Sequence, residues 1–387
     1  MHSSRPVSLL PFDFHPLNRA VFGPGTLARL GELVRDLGGS RAMLVTDPGL
    51  LASGHPHRAS AILREAGVSV FLYDRVKENP STEHVDEGVE FAREHRIDFL
   101  VALGGGSSMD LAKGVNFILT NGGRMIDYKG FGRATQPMLP SIGIPTTAGT
   151  GSESQSYALI SDVSSHMKMA CGDRKAAFRV CILDPDLTLT VPRAVTAVTG
   201  VDALSHAIES YVCTKSTAIS RLYALTAWQY LEPNFATVLT HPGDLEARSA
   251  MLLGAHFAGM AIENSMLGIA HSCSNPLTAH YGAVHGIAIG LLLPTVIRFN
   301  AIAAENLYEH LMPAGKHLNG EPASEVLARR VGELIHLAGL PRRLREIEVS
   351  ETILPLLAEE ASQQWTAKFN PRAVSEADLL HVYQSAW

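Results

Sequence analysis

Short apolar segments alternate with helical patterns through the first half of the chain, and this alternation stops about halfway. The segments Arg41–Thr46, Ile97–Leu103 and Ser141–Pro145 are largely apolar, as strands buried on both faces of a sheet are. Between them, runs such as Thr82–Glu94 repeat their apolar residues with helical spacing, and Ser81 is placed to cap that helix. This order of strands and helices predicts a parallel sheet covered by helices on both faces.

The second half of the chain contains helical patterns and no strand pattern beyond about Val195. One of its helical runs is predicted over Asp244–Ala270. A length of 387 residues is typical of two domains. We predict an α/β domain with a parallel sheet over residues 1–192, followed by an all-helical domain over residues 193–387.

Composition excludes several classes of protein. A net charge of −6 and the lack of a Lys/Arg cluster argue against a nucleic-acid partner. The start of the chain has neither the cationic segment nor the apolar core of a signal peptide, and the longest apolar run, near Ile287–Ile297, is too short to span a membrane. The 4 cysteines show no metal-binding or disulfide spacing. These features predict a cytoplasmic protein with no membrane partner.

Three glycines, Gly104, Gly105 and Gly106, precede Ser107 where a predicted strand passes into a helix. Backbone N–H groups can approach an anion closely at such a turn, and the helix N-terminus adds positive charge. The turn is therefore predicted to bind a pyrophosphate at the carboxyl end of a central strand. The sequence is not GxGxxG, and a plain tight turn remains the alternative interpretation.

A second loop follows the strand Ser141–Pro145 and is dense in glycine and hydroxyl side chains, including Thr146, Thr147 and Thr150. These groups could donate hydrogen bonds to ribose and phosphate oxygens, or could face solvent. Lys168 lies in a predicted hairpin region, where its ammonium could reach a phosphate or face water.

Asp202 and His206 stand four residues apart in an apolar helical segment, so both side chains face the same side, about 5–6 Å apart. His271 ends another apolar run and His285 begins a third. One carboxylate and three imidazoles form a ligand set suited to Fe²⁺ or Zn²⁺. The alternative is that these are ordinary packing residues among the 17 histidines of the chain.

Two residues between the last pair of histidines can change the chain direction. Pro276 and Gly282 are expected to break the helical pattern there, so that the chain turns back and aims both imidazoles at one point.

Nine segments together resemble the iron-containing (group III) alcohol dehydrogenase family. In order they are FGPGTL at Phe22–Leu27, VTD at Val45–Asp47, ENPS at Glu78–Ser81, GGGSSMDLAK at Gly104–Lys113, PTTAGTGSE at Pro145–Glu153, GVDALSHAIE at Gly200–Glu209, AGMA at Ala258–Ala261, the single His271, and VHG at Val284–Gly286. The family order is kept across most of the chain. The resemblance implies the dehydroquinate synthase-like architecture. Residues 1–192 would form a Rossmann-like nucleotide-binding domain, and residues 193–387 would form an all-α metal-binding and substrate domain.

The resemblance also implies roles for individual residues. The metal ligands would be Asp202, His206, His271 and His285, with Fe²⁺ usual and Zn²⁺ found in relatives. The pyrophosphate turn would be Gly104, Gly105, Gly106, Ser107 and Asp110. The other nucleotide contacts would be Asn79 at the adenosine, Asp47 at its ribose, Lys168, and the nicotinamide-side loop residues Thr146, Thr147 and Thr150. Because a carboxylate at Asp47 would repel a 2′-phosphate, NAD is favoured over NADP.

One position departs from the family pattern. Many members carry a second histidine four residues after the third ligand, where it is thought to help relay a proton, and this chain has Asn275 there. Asparagine cannot titrate but can hydrogen-bond to ribose or substrate. His280 is a possible substitute in the relay, and a structural role for His280 is the alternative.

The predicted activity is reversible hydride transfer between a small alcohol or hydroxy acid and nicotinamide, with the metal as a Lewis acid. Family members are commonly dimers or larger, so a homo-oligomer is expected. One alternative is a dehydroquinate-synthase-type lyase, which would be expected to carry glutamate where this chain has Asp202. The other is a non-catalytic nucleotide-binding scaffold.

Overall fold

The computed structural model describes residues 10–163, 168–312 and 320–387. These divide into two compact units. One is an α/β unit, His15–Val191; the other is a helical unit, Pro192–Trp387 together with residues 10–14. Residues 1–9, which belong to the segment considered above for a signal peptide, lie outside the described residues.

The α/β unit is built around a parallel sheet. Its strands are β1 (Arg19–Phe22), β2 (Arg41–Val45), β3 (Ser69–Tyr73), β4 (Phe99–Gly104), β5 (Gly130–Phe131), β6 (Ser141–Pro145), β7 (Tyr157–Ser161), β8 (Lys168–Gly172) and β9 (Val180–Leu183), and its helices are α1 (Leu30–Asp36), α2 (Pro48–Leu51), α3 (His55–Glu65), α4 (Thr82–Glu94) and α5 (Gly106–Asn121). Six strands pair in the order β1-β9-β6-β4-β2-β3, all parallel. β7 and β8 pair antiparallel as a hairpin in a smaller sheet with β5.

The two central strands, β4 and β6, are buried over their whole length, as their continuous apolar sequences predict. One face of the sheet packs against α1 and α3 through side chains such as Leu33 and Leu63. Ser81 caps α4 as predicted, accepting a hydrogen bond from the backbone N–H of His84. The α/β fold class is therefore confirmed.

The helical unit contains α6 (Arg193–Val212), α7 (Ala218–Thr240), α8 (Leu245–Glu263), α9 (Ile269–Tyr281), α10 (His285–Tyr308), α11 (Ala323–Ala338), α12 (Leu354–Ser362) and α13 (Glu376–Ala386). α6 packs against α7, α8 and α10, and residues 200–213 are buried without interruption. A helix buried on all sides lies at the centre of its unit. The predicted all-helical second half is confirmed.

The structure corrects the predicted course of the chain between α8 and α10. The run Asp244–Ala270 is not one helix, because α8 ends at Glu263 and a separate helix, α9, begins at Ile269. Pro276 does not break the chain and lies inside α9. A proline inside a helix costs about 3 kcal/mol, and here the packing of α9 on α10 and α12 outweighs that cost. The reversal occurs at Gly282, which ends α9 in the left-handed conformation with φ 61°.

One described helical segment, His285–Leu311, is long and apolar enough to cross a membrane by length and composition alone. The core helix of a water-soluble protein passes the same test, and 56% of this apolar stretch is buried inside the protein. The helices that bury it are α6, α9 and α11, against which α10 packs.

Candidate functional site

The first two predicted metal ligands lie side by side on α6. Asp202 and His206 are one helical turn apart, and the His206 Nε2 atom is 3.3 Å from the Asp202 Oδ1 atom. Both side chains are buried inside the helical unit. The four-residue spacing therefore places both groups on one helix face, as predicted.

The other two histidines reach the same point from the starts of two further helices. His271 is the third residue of α9, and His285 is the first residue of α10. A Cβ atom at Gly286 would lie 2.1 Å from the carbonyl oxygen of Val198. Only glycine allows this approach of α10 to the α6 backbone, one turn before Asp202, and the approach brings His285 to the cluster.

Three imidazoles surround one carboxylate oxygen. The Nε2 atoms of His285 and His271 lie 3.6 Å and 3.8 Å from Asp202 Oδ1. One donor atom each from Asp202, His271 and His285 lies within 4.8 Å of the others, close enough to hold one metal ion. Asp202 Oδ1 and His271 Nε2 are buried and have no hydrogen-bond partner among the described residues. Buried polar atoms are normally satisfied, so this arrangement fits a divalent cation bound by oxygen and nitrogen donors.

The cluster has strongly perturbed acid–base properties. Burial opposes ionisation of Asp202, but the positive charges of the three imidazoles outweigh burial and hold the pKa of that carboxyl well below its usual range. Burial would likewise lower the pKa of His271, but the negative charges of Glu209 and Asp202 raise it to about 9. Below that pKa, a metal ion binding there would compete with a proton for the His271 ring.

The predicted pyrophosphate turn joins β4 to α5. Gly104 has φ +151°, a conformation that favours glycine, and Gly105 precedes the first residue of the helix without any side-chain cap. The Ser108 N–H donates to the Gly105 carbonyl oxygen at 3.1 Å, and no cap side chain occupies the N–H groups before it, which can therefore face a ligand. This turn lies at the carboxyl edge of the central strand, as predicted.

The threonine-rich loop lies against this turn. Thr146 follows β6, the neighbour of β4, and its N–H donates to the Gly104 carbonyl oxygen at 2.9 Å. A Cβ atom at Gly106 would lie 2.8 Å from the Thr150 methyl group, and one at Gly105 would lie 3.6 Å from the Thr147 hydroxyl oxygen. Two loops distant in sequence therefore form one surface of backbone N–H and hydroxyl groups.

Asp47 and Asn79 lie next to the same turn. Asp47 follows β2, and one of its carboxylate oxygens would be 3.4 Å from a Cβ atom at Gly104. Its other carboxylate oxygen caps α2 by accepting from the N–H of Leu50 at 3.1 Å. Asn79 adopts the left-handed conformation with φ 50°, and its N–H donates to the Ser107 hydroxyl at 3.3 Å.

Asp110 lies behind the turn, in the interior of the α/β unit. It accepts a 2.7 Å hydrogen bond from the Ser152 hydroxyl, and burial raises its pKa against the opposing charge of Lys113. Lys168, at the start of β8, is close enough for its charge to act on the same carboxyl. Asp110 thus links α5 to the loop that follows β6.

The structure does not bring His280 to the cluster of Asp202 and the three histidines. His280 lies nine residues after His271 on α9, which places it on the opposite side of the helix, and its Nε2 atom is 2.9 Å from the Glu360 carboxylate. Asn275 is one turn beyond His271 and therefore on the same side. Its amide nitrogen donates to the Gln364 side-chain oxygen at 3.0 Å.

Comparison with known proteins covers almost the whole chain. The family model for iron-containing alcohol dehydrogenase matches residues 17–185, and the model for the C-terminal part of the same family matches residues 196–387. The chain is 33% identical over 371 residues to an NAD-dependent methanol dehydrogenase of Bacillus methanolicus, covering 95% of this chain and 97% of that protein. It is also 33% identical over 382 residues to a 1,3-propanediol dehydrogenase of Citrobacter freundii, covering 97% and 99%.

The chain belongs to the iron-containing alcohol dehydrogenase family.

A solved structure of a 1,3-propanediol oxidoreductase agrees with this membership. It matches with a TM-score of 0.93 and 32% sequence identity, covering 98% of this chain and 100% of that one. The predicted class of activity, a metal-dependent and NAD-linked alcohol dehydrogenase or aldehyde reductase, is confirmed by these relatives. The lyase and scaffold alternatives lack such support.

Two buried residues of this dehydrogenase were missed by the sequence analysis. Glu209, on α6, accepts a hydrogen bond from the His271 ring. Lys113, on α5, donates to the carbonyl oxygens of Ser152 and Tyr157 at 2.7 Å and 2.8 Å, which ties α5 to the threonine-rich loop. Helical spacing could have found both, since Glu209 lies seven residues after Asp202 and Lys113 lies three after Asp110.

Proposed function

We propose that this enzyme interconverts small primary or secondary alcohols and their aldehydes or ketones with NAD, using Fe²⁺ or Zn²⁺ held by Asp202, His206, His271 and His285. One observation carries the proposal. The nitrogen atoms of three histidines lie within 3.3–3.8 Å of a single buried carboxylate oxygen. That oxygen, Asp202 Oδ1, has no hydrogen-bond donor among the described residues. Packing alone does not explain why three imidazoles surround it.

The ligand set determines the charge of the site. Asp202 contributes one negative charge, and the histidines bind metals as neutral imidazoles. A divalent ion bound by these residues would retain net positive charge, which would lower the pKa of a hydroxyl group or polarise a carbonyl. Asn275, on the same side of α9 as His271, is held by Gln364 and is proposed to orient the substrate or the cofactor ribose.

The α/β unit is proposed to bind NAD at its glycine turn. The uncapped N-terminus of α5, with Gly104, Gly105, Gly106 and Ser107, supplies N–H groups for the pyrophosphate. The remaining contacts are assigned to Asn79, Thr146, Thr147, Thr150 and Lys168, with Asp110 supporting the turn. Asp47 lies at the end of β2, next to the turn, where its carboxylate can accept hydrogen bonds from the adenosine ribose.

Asp47→Gly is expected to relax the preference for NAD, because the carboxylate that repels a 2′-phosphate is lost. The ratio of kcat/KM for NADP to that for NAD should rise by roughly tenfold or more, since a like-charge contact near a protein surface is worth about 1–4 kcal/mol. Asp47→Asn is the matched control for structure, because its side-chain oxygen can still cap α2. An unchanged ratio in both variants would show that Asp47 does not face the ribose.

The first test of the whole proposal is metal content followed by turnover on the same sample. Protein purified under low oxygen should contain about one Fe or Zn per chain and should form NADH with members of a panel of short alcohols and hydroxy acids. Net NADH formation also separates this function from the lyase and scaffold alternatives. Protein with neither bound metal nor NAD binding would contradict the assignment.

A cytoplasmic location and a homodimeric or larger assembly are part of the proposal. All four cysteines are buried free thiols, which suits a reducing compartment. Multi-angle light scattering of the purified enzyme measures the assembly directly, and a monomer at assay concentration would contradict it.

A further inference from the structure

Glu209 is a buried carboxylate next to the cluster of Asp202 and the three histidines. It lies on α6 with 3% of its surface exposed. One carboxylate oxygen accepts from the His271 Nδ1 atom, and the other accepts from the backbone N–H of Ala270 at 2.8 Å. Each carboxylate oxygen of Glu209 therefore has one N–H donor facing it.

The packing around Glu209 leaves it little freedom. A Cβ atom at Gly268 would lie 2.9 Å from Glu209 Oε1, so glycine at this position lets the N-terminus of α9 close over the carboxylate. A neighbouring cavity, lined in part by Asn300, Tyr308 and Asn370, is too narrow to hold a water molecule. Water in that cavity therefore cannot replace the carboxylate as the acceptor for His271.

We propose that Glu209 is a positioning residue that keeps the proton of His271 on Nδ1 and thereby presents the Nε2 lone pair to the metal. The inference rests on the proposed function, in which His271 is a metal ligand. Neutral imidazole carries one ring proton, so an acceptor at Nδ1 leaves Nε2 unprotonated on the side of Asp202. Hydrogen bonds of this kind to metal-binding histidines fix the ring orientation and strengthen metal binding.

The contacts explain why an amide would not serve. Glu209 faces two N–H donors and offers an acceptor to each. Glutamine has only one acceptor oxygen. If that oxygen accepts from Ala270, the amide N–H₂ group faces His271 Nδ1 and favours the tautomer with its proton on Nε2, which opposes metal binding. If it accepts from His271, two donors meet at Ala270.

The test compares Glu209→Gln with the wild type by chelator competition for Zn²⁺ and by the visible absorption spectrum of the Co²⁺-substituted protein. We expect metal affinity to fall by about 10–100-fold, the usual loss for such partners, with a changed Co²⁺ spectrum. The matched control is Glu232→Gln. Glu232 is also a buried glutamate of the helical unit, but it pairs with Arg330 at 2.6 Å. The Glu232→Gln variant should be less stable than the wild type and should keep wild-type metal affinity.

The outcomes separate this inference from the proposed function. A wild-type protein that binds no metal contradicts the ligand assignment itself. If the wild type binds metal and Glu209→Gln has the same metal affinity and Co²⁺ spectrum, the role of Glu209 alone is overturned, even if the melting temperature of the variant falls. If Glu209→Gln does not fold, Glu209→Asp, which keeps both acceptors on a shorter stem, takes its place. Weaker binding with an altered spectrum supports the proposal, and wild-type values overturn it.

Discussion

Replacing His271 with alanine is expected to remove metal binding and NAD-linked turnover together, while the protein stays folded. The change deletes one proposed metal donor, and it leaves the carboxylates of Asp202 and Glu209 without the imidazole that lies between them. A Lewis-acid metal contributes several kcal/mol to such reactions, so kcat/KM should fall by about a thousandfold or more. Metal analysis, circular dichroism and NADH formation measured on one sample check the three parts of this result.

The control for His271→Ala is another buried histidine outside the cluster. His55 lies in the α/β unit, where its Nε2 atom is 3.0 Å from the Thr190 hydroxyl. His55→Ala, like His271→Ala, creates a cavity and removes a hydrogen bond, so it should lower the free energy of unfolding by about 1–3 kcal/mol. The His55→Ala protein should keep wild-type metal content and turnover. Turnover by a metal-free His271→Ala protein would rule out His271 as an essential ligand.

Replacing Gly106 with alanine is expected to weaken NAD binding by roughly one to two orders of magnitude. The added Cβ atom would lie 2.8 Å from the methyl group and 2.9 Å from the hydroxyl oxygen of Thr150. The threonine-rich loop must then shift away from the turn, and overpacking of this kind costs about 1–3 kcal/mol. Fluorescence titration with NADH measures the dissociation constant, and metal content should stay at the wild-type value because Gly106 lies in the other compact unit.

A double-mutant cycle tests the cause of the effect. Thr150→Ala removes both atoms nearest to the added Cβ, so Gly106→Ala should cost much less affinity in that background than in the wild type. Equal losses in both backgrounds would show that the close approach of these two residues is not what Gly106 provides.

The local elements were predictable because they depend on residues close together in sequence. The bounds of β6 and α4, and the cap at Ser81, follow from apolar periodicity and a hydroxyl at the right place. The Asp202–His206 pair on one helix face needed only the four-residue spacing. The family motifs, kept in order, indicated the α/β and all-helical architecture before any contact was known.

The break between α8 and α9 was not predicted, because the apolar pattern continues through it with Met266 and Leu267. Pro276 is a strong helix breaker by itself, but α9 includes it while packing on α10 and α12. The helix end at Glu263 follows no glycine or proline in the preceding turn. Only tertiary contacts decided that the chain breaks after Glu263 and that α9 continues through Pro276.

The sequence by itself determined the fold class, the residue types of the Asp202–histidine cluster and the glycine turn, because each depends on residue type and short spacing. Tertiary structure alone decided which groups meet. Gly286 brings His285 to Asp202 by letting α10 contact the α6 backbone, and Gly268 lets α9 close over Glu209. These contacts join residues about 60 to 90 positions apart, and their free energy depends on how whole helices pack. No local pattern encodes that packing. Helical spacing could place Glu209 on the same face of α6 as Asp202, but only the folded chain shows that His271 is its hydrogen-bond partner.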